Sequence, residues 1–307
     1  RPQGRWHDDQ PSRQSSRPQG RWHDDDSSRR RRSPFEDVAA VDPQAISTEH
    51  LVFEVKGATA VVTMNRPEAK NALSAAMLVG MADAWEAIDQ DDSIRCAILT
   101  GAGGTFCAGM DLKSMADPDN PYKDRFAADP DLHWKALLRH YDLKKPLIAA
   151  VEGWAVAGGT EILQATDIRV AARSAVFGIF EARRGLFPLG GSTVRLRRQI
   201  GYTNAMDLLL TAREVPAEEA KEIGLVGYVV DDGKALAKAL DIAETICANA
   251  PLSVEAIKRS VRETEGMPEK EALARELEIG WPIFATEDSR EGQRAFAEKR
   301  PPVYKRR

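Results

Sequence analysis

Cysteine is scarce in this sequence: only Cys96, Cys107 and Cys247 occur in 307 residues. An odd number without metal-type spacing argues against a disulfide framework or a structural zinc site, and makes a reducing, cytoplasmic setting the expectation. Cys107 has no His beside it in sequence to draw it into a thiolate pair, so packing is its expected role. Long apolar runs are missing too. None approaches the roughly 18 to 20 residues that span a bilayer, so no membrane association is expected. Positive charge is not in excess, the formal net charge being −4, which argues against general nucleic-acid binding. The glycine-rich loops lack a following Gly-Lys-Ser/Thr, and the dinucleotide fingerprint with its downstream acid is absent. His133 and His140 have no third ligand-like neighbour, so no metal is assigned.

What is present is the composition of a soluble globular protein, 43% hydrophobic and 29% charged, long enough for one large domain or two small ones. Residues 1–50 stand apart. Arg1-Pro-Gln-Gly-Arg-Trp-His-Asp-Asp9 recurs from Arg17 to Asp25, followed by Arg29–Arg32. The repeat is too short and too polar to stack into a core, so this segment is expected to be disordered. Four arginines without a following apolar stretch do not make a twin-arginine signal. With nine Arg balanced by nine Asp and Glu, the segment fits a solvated extension without function, or a stretch translated from upstream.

Folded sequence is expected from Leu51. Leu51–Val55 and Ala60–Asn65 alternate as a β-hairpin around Lys56-Gly-Ala-Thr59. Ser74 caps a predicted helix Ala75–Asp89 whose apolar residues Met77, Leu78, Met81, Trp85 and Ile88 share one face. Strand Ile94–Thr100 then leads into the glycine-rich stretch Gly101–Lys113. Residues 117–131, rich in Pro and Asp, read as an exposed loop, and Leu132–Tyr141 as a helix. Beyond Gly191 helices dominate, with a strand at Val226–Val230 and long helical patterns at 234–249, 253–265, 269–284 and 288–298. The last of these carry more apolar residues than a solvated tail needs, Trp281, Ile283 and Phe284 among them, as a surface covered by a partner would.

The centre of the chain is Leu147-Ile-Ala-Ala-Val151, a buried-strand pattern, followed by Gly158-Gly-Thr-Glu161. Two glycines where a strand turns into a predicted helix Thr160–Thr166 present bare backbone N–H groups at a helix N-terminus, where developing negative charge is best met. Glu161 falls in that first turn, and Glu181 follows twenty residues later. Two carboxylates beside such a nest suit acid/base chemistry. The same pattern also fits an ordinary tight turn with a dipole-complementing Glu.

Taken in order, Asn65-Arg-Pro…Asn71-Ala-Leu73, Phe106-Cys-Ala-Gly-Met-Asp-Leu112, Lys145-Pro…Gly158-Gly-Thr-Glu161, Phe177-Gly…Glu181, Ala220-Lys…Gly224-Leu-Val226 and Glu291-Gly…Glu298-Lys-Arg300 resemble the crotonase (enoyl-CoA hydratase/isomerase) superfamily over residues 51–300. The resemblance implies an α/β fold, a spiral of ββα repeats over 51–245 with a helical C-terminal trimerisation region over 246–307, assembled as a homotrimer or a dimer of trimers. It implies an acyl-CoA substrate, with coenzyme A as part of the substrate and no separate cofactor. Carried onto this chain, the N–H groups of Met110 and Gly158 would form the oxyanion hole, and Glu161 and Glu181 would be the catalytic acids. Ala69, Lys70, Ala108, Asp111, Leu112, Lys113 and Leu189 would contact the CoA or the acyl group. The implied reaction is hydration of a trans-2-enoyl-CoA in fatty-acid or steroid side-chain β-oxidation. Alternatives are an isomerase or dehydratase of the same superfamily, or a non-catalytic acyl-CoA- or RNA-binding member.

The chain departs from the common pattern at Pro188-Leu-Gly-Gly191, where Leu189 stands in place of a glycine that normally lies close to the catalytic water. Phe180 and the Ala182-Arg-Arg184 that follow Glu181 also depart from the short-chain pattern. Cys107–Lys113, Gly159–Arg169 and Gly178–Ala182 look most similar to actinobacterial hydratases, including those acting on steroid side chains, so bulky substrates are within reach.

Overall fold

The computed structural model describes residues 42–115 and 117–307, all within one compact unit that begins at Ala39. The repeat-containing stretch read as disordered therefore lies mostly outside the described residues. Among the described residues, nine strands form two sheets. The larger runs in the order β1 (Leu51–Lys56), β2 (Thr59–Met64), β3 (Cys96–Gly101), β4 (Leu147–Val151), β6 (Ile168–Ala172), β9 (Tyr228–Val230). β1 and β2 are the expected antiparallel hairpin, and every later pairing in this sheet is parallel.

The smaller sheet holds β5 (Trp154–Val156), β7 (Val176–Gly178) and β8 (Val215–Pro216). Each turn of the chain lays one strand in the large sheet and a short one in the small wall, then crosses back through a helix. This is the spiral of ββα units that the resemblance implies. Isolated bridges extend the wall: Cys107 pairs with Ala155, whose other neighbour is Phe177. Successive turns of the spiral are thus stitched together at the level of the glycine-rich loops.

Parallel strands buried on both faces need continuous apolar sequence, and β3 and β4 supply it. Ala97, Leu99, Leu147, Ala149 and Val151 enter the main core with Trp85, Phe106 and Phe177. The alternate residues Cys96, Ile98, Ile148 and Ala150 meet Ala235, Ala239 and Ala243, a small-residue stripe at helical spacing on helix Ala235–Cys247. That helix lies flat on the sheet because alanine lets it approach closely. The boundary expected between 245 and 246 falls inside it.

Helix Ala75–Gln90 is capped by Ser74, whose Oγ accepts from the Met77 amide at 3.3 Å. Its C-terminal end is closed by Lys145: fully buried, it donates Nζ to the carbonyls of Ile88, at 2.6 Å, and Asp91. Burial lowers the pKa of this amine, and orphan helix carbonyls are its compensation.

Several expected elements differ. The helix predicted for 132–141 stops at Ala136, because Leu138 takes φ +51° and turns the chain, so that Leu137 and Leu138 both reach the core. The predicted loop 117–131 contains a helix, Lys123–Ala128, pinned by Arg125 to Asp83 at 2.6 Å. The helix after Gly158-Gly159 starts at Gly158 itself and ends at Leu163. Glu269–Gly280 gives way to a tighter turn at Trp281–Ala285, with Pro282 in its first turn.

Candidate active site

The glycine-rich stretch after β3 is built around a buried Asn. Asn71, fully buried at φ +53°, donates Nδ2 to the carbonyls of Ala102 (2.9 Å) and Thr105 (2.6 Å) and accepts from the Arg66 amide at 2.8 Å. This fixes where the following segment runs. Along it, Cys107 N donates to Trp154 O (2.8 Å), Ala108 N to Lys70 O (3.0 Å), and Asp111 N to Leu73 O (3.1 Å), while Gly109 O accepts from Leu73 N at 2.8 Å. Among the described residues, the Met110 amide has no such partner.

A second amide faces it. Ala157 adopts φ +50°, rare for a residue with a side chain, held there by its N–H to Gly178 O at 2.8 Å. The chain then enters helix Gly158–Leu163, whose first N–H has no intrahelical acceptor. A Cβ placed on Gly158 would lie 3.5 Å from Met110 N, and one on Gly109 (φ +95°) would lie 3.2 Å from Gly158 N. The glycines let the two backbones, and with them the Met110 and Gly158 nitrogens, come close together. Such a pair meets charge developing on a carbonyl oxygen.

The two acids stand beside these amides. Glu161 is 5% exposed and lies within the first turn of the short helix. Its Oε1 accepts from the Ser192 amide at 3.4 Å, and a Cβ on Gly190 would come within 2.7 Å of its Oε2. Burial raises its pKa, opposed by hydrogen bonds from Gly190 and Ser192 and by the charge of Arg139. Glu181 is 9% exposed at the start of a tight turn, Glu181–Arg184. Burial, then the charge of Glu161, push its carboxyl up to about 7. Its Oε2 is buried without a hydrogen-bond partner among the described residues. Both carboxyls therefore hold their protons to higher pH than a solvated glutamate does, and each charge disfavours the other.

The other predicted positions spread along one side. Lys70 sits exposed at φ +51° after the turn Pro67–Ala69. Ala108 is half-buried, and Leu112 and Lys113 are exposed. The Asp111 carboxylate is engaged within the protein: it pairs with Arg66 and accepts from the amides of Lys113 and Ser114, both at 3.1 Å. Those bonds outweigh a larger desolvation cost and leave its pKa lowered. Leu189 is 53% exposed, and its carbonyl accepts from Arg139. The Cys107 thiol is pushed up to about 12 by burial, in keeping with packing. Among the described residues no group of three or more His, Cys, Asp or Glu is placed to hold a metal.

Asn71, Gly190 and Arg139 are the site-building residues that the motif reading did not assign. Asn71 carried a signal, as part of Asn71-Ala-Leu73; the others act through contacts that only the folded chain makes.

The family model described as enoyl-CoA hydratase/isomerase matches residues 54–307. Enoyl-CoA hydratase EchA19 of Mycobacterium tuberculosis is 58% identical over 258 residues, covering 83% of this chain and 96% of that protein. The short-chain-enoyl-CoA hydratase of Clostridium acetobutylicum is 38% identical, covering 82% and 95%. Among solved structures, an enoyl-CoA hydratase from M. tuberculosis H37Rv superposes with a TM-score of 0.78 at 42% identity, covering 85% of this chain and 100% of that one. With a family model matching most of its length and a relative 58% identical over nearly all of that protein, the chain belongs to the enoyl-CoA hydratase/isomerase family.

Proposed function

We propose that the protein is a hydro-lyase that adds water across the 2,3 double bond of a trans-2-enoyl-CoA. The observation that carries this reading is the Glu161–Glu181 pair, buried together with Glu181 pushed up to about 7, beside the Met110 and Gly158 amides. The thioester oxygen accepts from both N–H groups, each such donor contributing about 3 kcal/mol in the transition state. Drawing electrons to that oxygen makes the β-carbon electrophilic.

A water between the acids then attacks. Glu161 takes a proton from it as the C–O bond forms at the β-carbon, and Glu181 gives its proton to the α-carbon as the enolate collapses. One water is added in sum, and the pair regains its starting state when the proton passes back from Glu161 to Glu181. The chemistry needs no cofactor beyond the coenzyme A of the substrate. Lys70 and Lys113, exposed beside the oxyanion loop, suit the CoA phosphates, with Ala69, Ala108, Leu112 and Asp111 along the path.

The acyl groups we propose include ones longer than crotonyl, as in β-oxidation of fatty acids or steroid side chains. The exposed apolar residues of the C-terminal helices suit a homotrimer or dimer of trimers, and no helix among the described residues is long and apolar enough to cross a membrane; a cytoplasmic enzyme is the setting we infer. The test is hydration of crotonyl-CoA and of a longer or steroidal enoyl-CoA, followed as loss of the conjugated absorbance. Turnover of at least one is expected. Double-bond migration without net water addition would replace hydration by isomerisation.

A further inference from the structure

We propose that Arg139 is a positioning residue of this site, one that holds the Pro188–Gly191 turn against the Glu161 carboxylate; the proposal rests on the hydration reading above. Arg139 follows the left-handed Leu138, and the turn is closed by Leu138 N to Lys135 O (2.9 Å) and Arg139 N to Trp134 O (2.8 Å). That reversal lays the guanidinium over the Trp134 ring, 4.9 Å from its centroid, and lets Nη1 donate to the Leu189 carbonyl. From the other side Arg195 Nη2 donates to Leu138 O at 2.5 Å. The two segments are clasped in both directions.

What the clasp holds has no slack. A Cβ on Gly190, next to Leu189, would clash with Glu161 Oε2 at 2.7 Å, and two residues further the Ser192 amide donates to Glu161 Oε1 at 3.4 Å. The Ser192 hydroxyl accepts in turn from Gln164 Nε2 at 2.8 Å, so the far end of the segment is anchored in the core. The near end is anchored by Arg139. Where the superfamily pattern has a glycine, this chain has Leu189, half-exposed, whose carbonyl accepts from Arg139.

The guanidinium also acts by its charge. Glu161 is faced by Glu181, by Arg139, by Arg195, and by the Ser192 hydroxyl and the Gly190 and Ser192 amides; Arg139 is faced by Trp134, His140, Arg195 and the Leu189 carbonyl. His140 is itself tied to Asp131 at 2.6 Å. A cation there favours the ionised Glu161 that accepts the water's proton. An arginine that merely stacks on a surface tryptophan would do neither thing.

The experiment compares wild type with Arg139→Met and Arg139→Lys. It measures crotonyl-CoA hydration across pH and, in the unliganded proteins, titrates the buried carboxyls by infrared or carbon NMR. Arg139→Met is expected to lower kcat about tenfold or more with KM changed less than about twofold, and to move the carboxyl titration to higher pH. Arg139→Lys, which keeps the charge and one donor, is expected to recover most of both. An unchanged titration in Arg139→Met, an unchanged kcat, or a loss that Lys does not recover would each overturn the proposal. Should the wild type fail to hydrate any enoyl-CoA, the hydration reading falls, and the titration alone still decides whether Arg139 governs the acids.

Discussion

At Glu181 the physics of one side chain reaches both stability and turnover. An unfolded chain ionises this carboxyl near its ordinary 4.5, whereas the folded protein keeps the proton up to about 7. A raised carboxyl pKa means the folded state binds protons more tightly. Its contribution to stability is fully present below 4.5 and is lost as pH rises through about 7. Glu181→Gln is uncharged throughout, so the gap in melting temperature between variant and wild type should widen in the variant's favour from about pH 5 to about pH 8. The same variant should hydrate about 10²- to 10⁴-fold more slowly. A gap that stays flat with pH, read by thermal denaturation in matched buffers, would mean the carboxyl is not proton-loaded. Glu161 stands out in the sequence because a carboxylate beside a Gly-Gly turn is a local pattern, whereas Glu181, twenty residues on, takes its assigned role from the resemblance to the family. Arg139 was not, because Leu138 breaks a helical pattern that the residues around it would otherwise continue.

Among the elements, the loop 101–111 shows how a stretch with almost no core of its own is given one shape. Asn71 satisfies two of its carbonyls and is itself held through the Arg66 amide. Asn71→Ala leaves those groups buried and unpaired, a loss of about 2 to 4 kcal/mol. Because the loop carries Met110, hydration should fall along with the denaturation midpoint, and circular dichroism during urea unfolding checks the midpoint. Little or no change in midpoint would show that water replaces the amide. The strands of the large sheet were legible where both faces are buried, β4 to the residue, since no polar alternation interrupts it. β5 and β7, three residues each, were not. They pair only with strands from other turns of the spiral, and nothing local marks them.

For the whole molecule, the C-terminal helices pose the largest imbalance. Trp281 is 72% and Phe296 87% exposed, with Leu277, Phe284, Ile257 and Val261 also open. Large aromatic residues left in water at this density favour association. Trp281→Glu combined with Phe296→Glu should shift the protein from its oligomer to monomer in analytical ultracentrifugation, with the folded circular-dichroism spectrum retained. A wild type that sediments as a monomer would remove the assembly reading. The sequence showed this surplus of apolar residues plainly, yet not that residues 304–306 turn back onto the segment leading into β3.

That return deserves its own consequence. Arg95, at the entry to β3, donates to the carbonyls of Cys247 (3.0 Å) and Tyr304 (2.9 Å), and Asp92 pairs with Arg306 at 2.7 Å. While the ribosome is still making the chain, both early groups must wait in water for partners some two hundred residues downstream. Fastening this part of the fold therefore waits on residues far along the chain, and the earlier windings of the spiral rest on their own hydrophobic contacts until Tyr304 and Arg306 are in place.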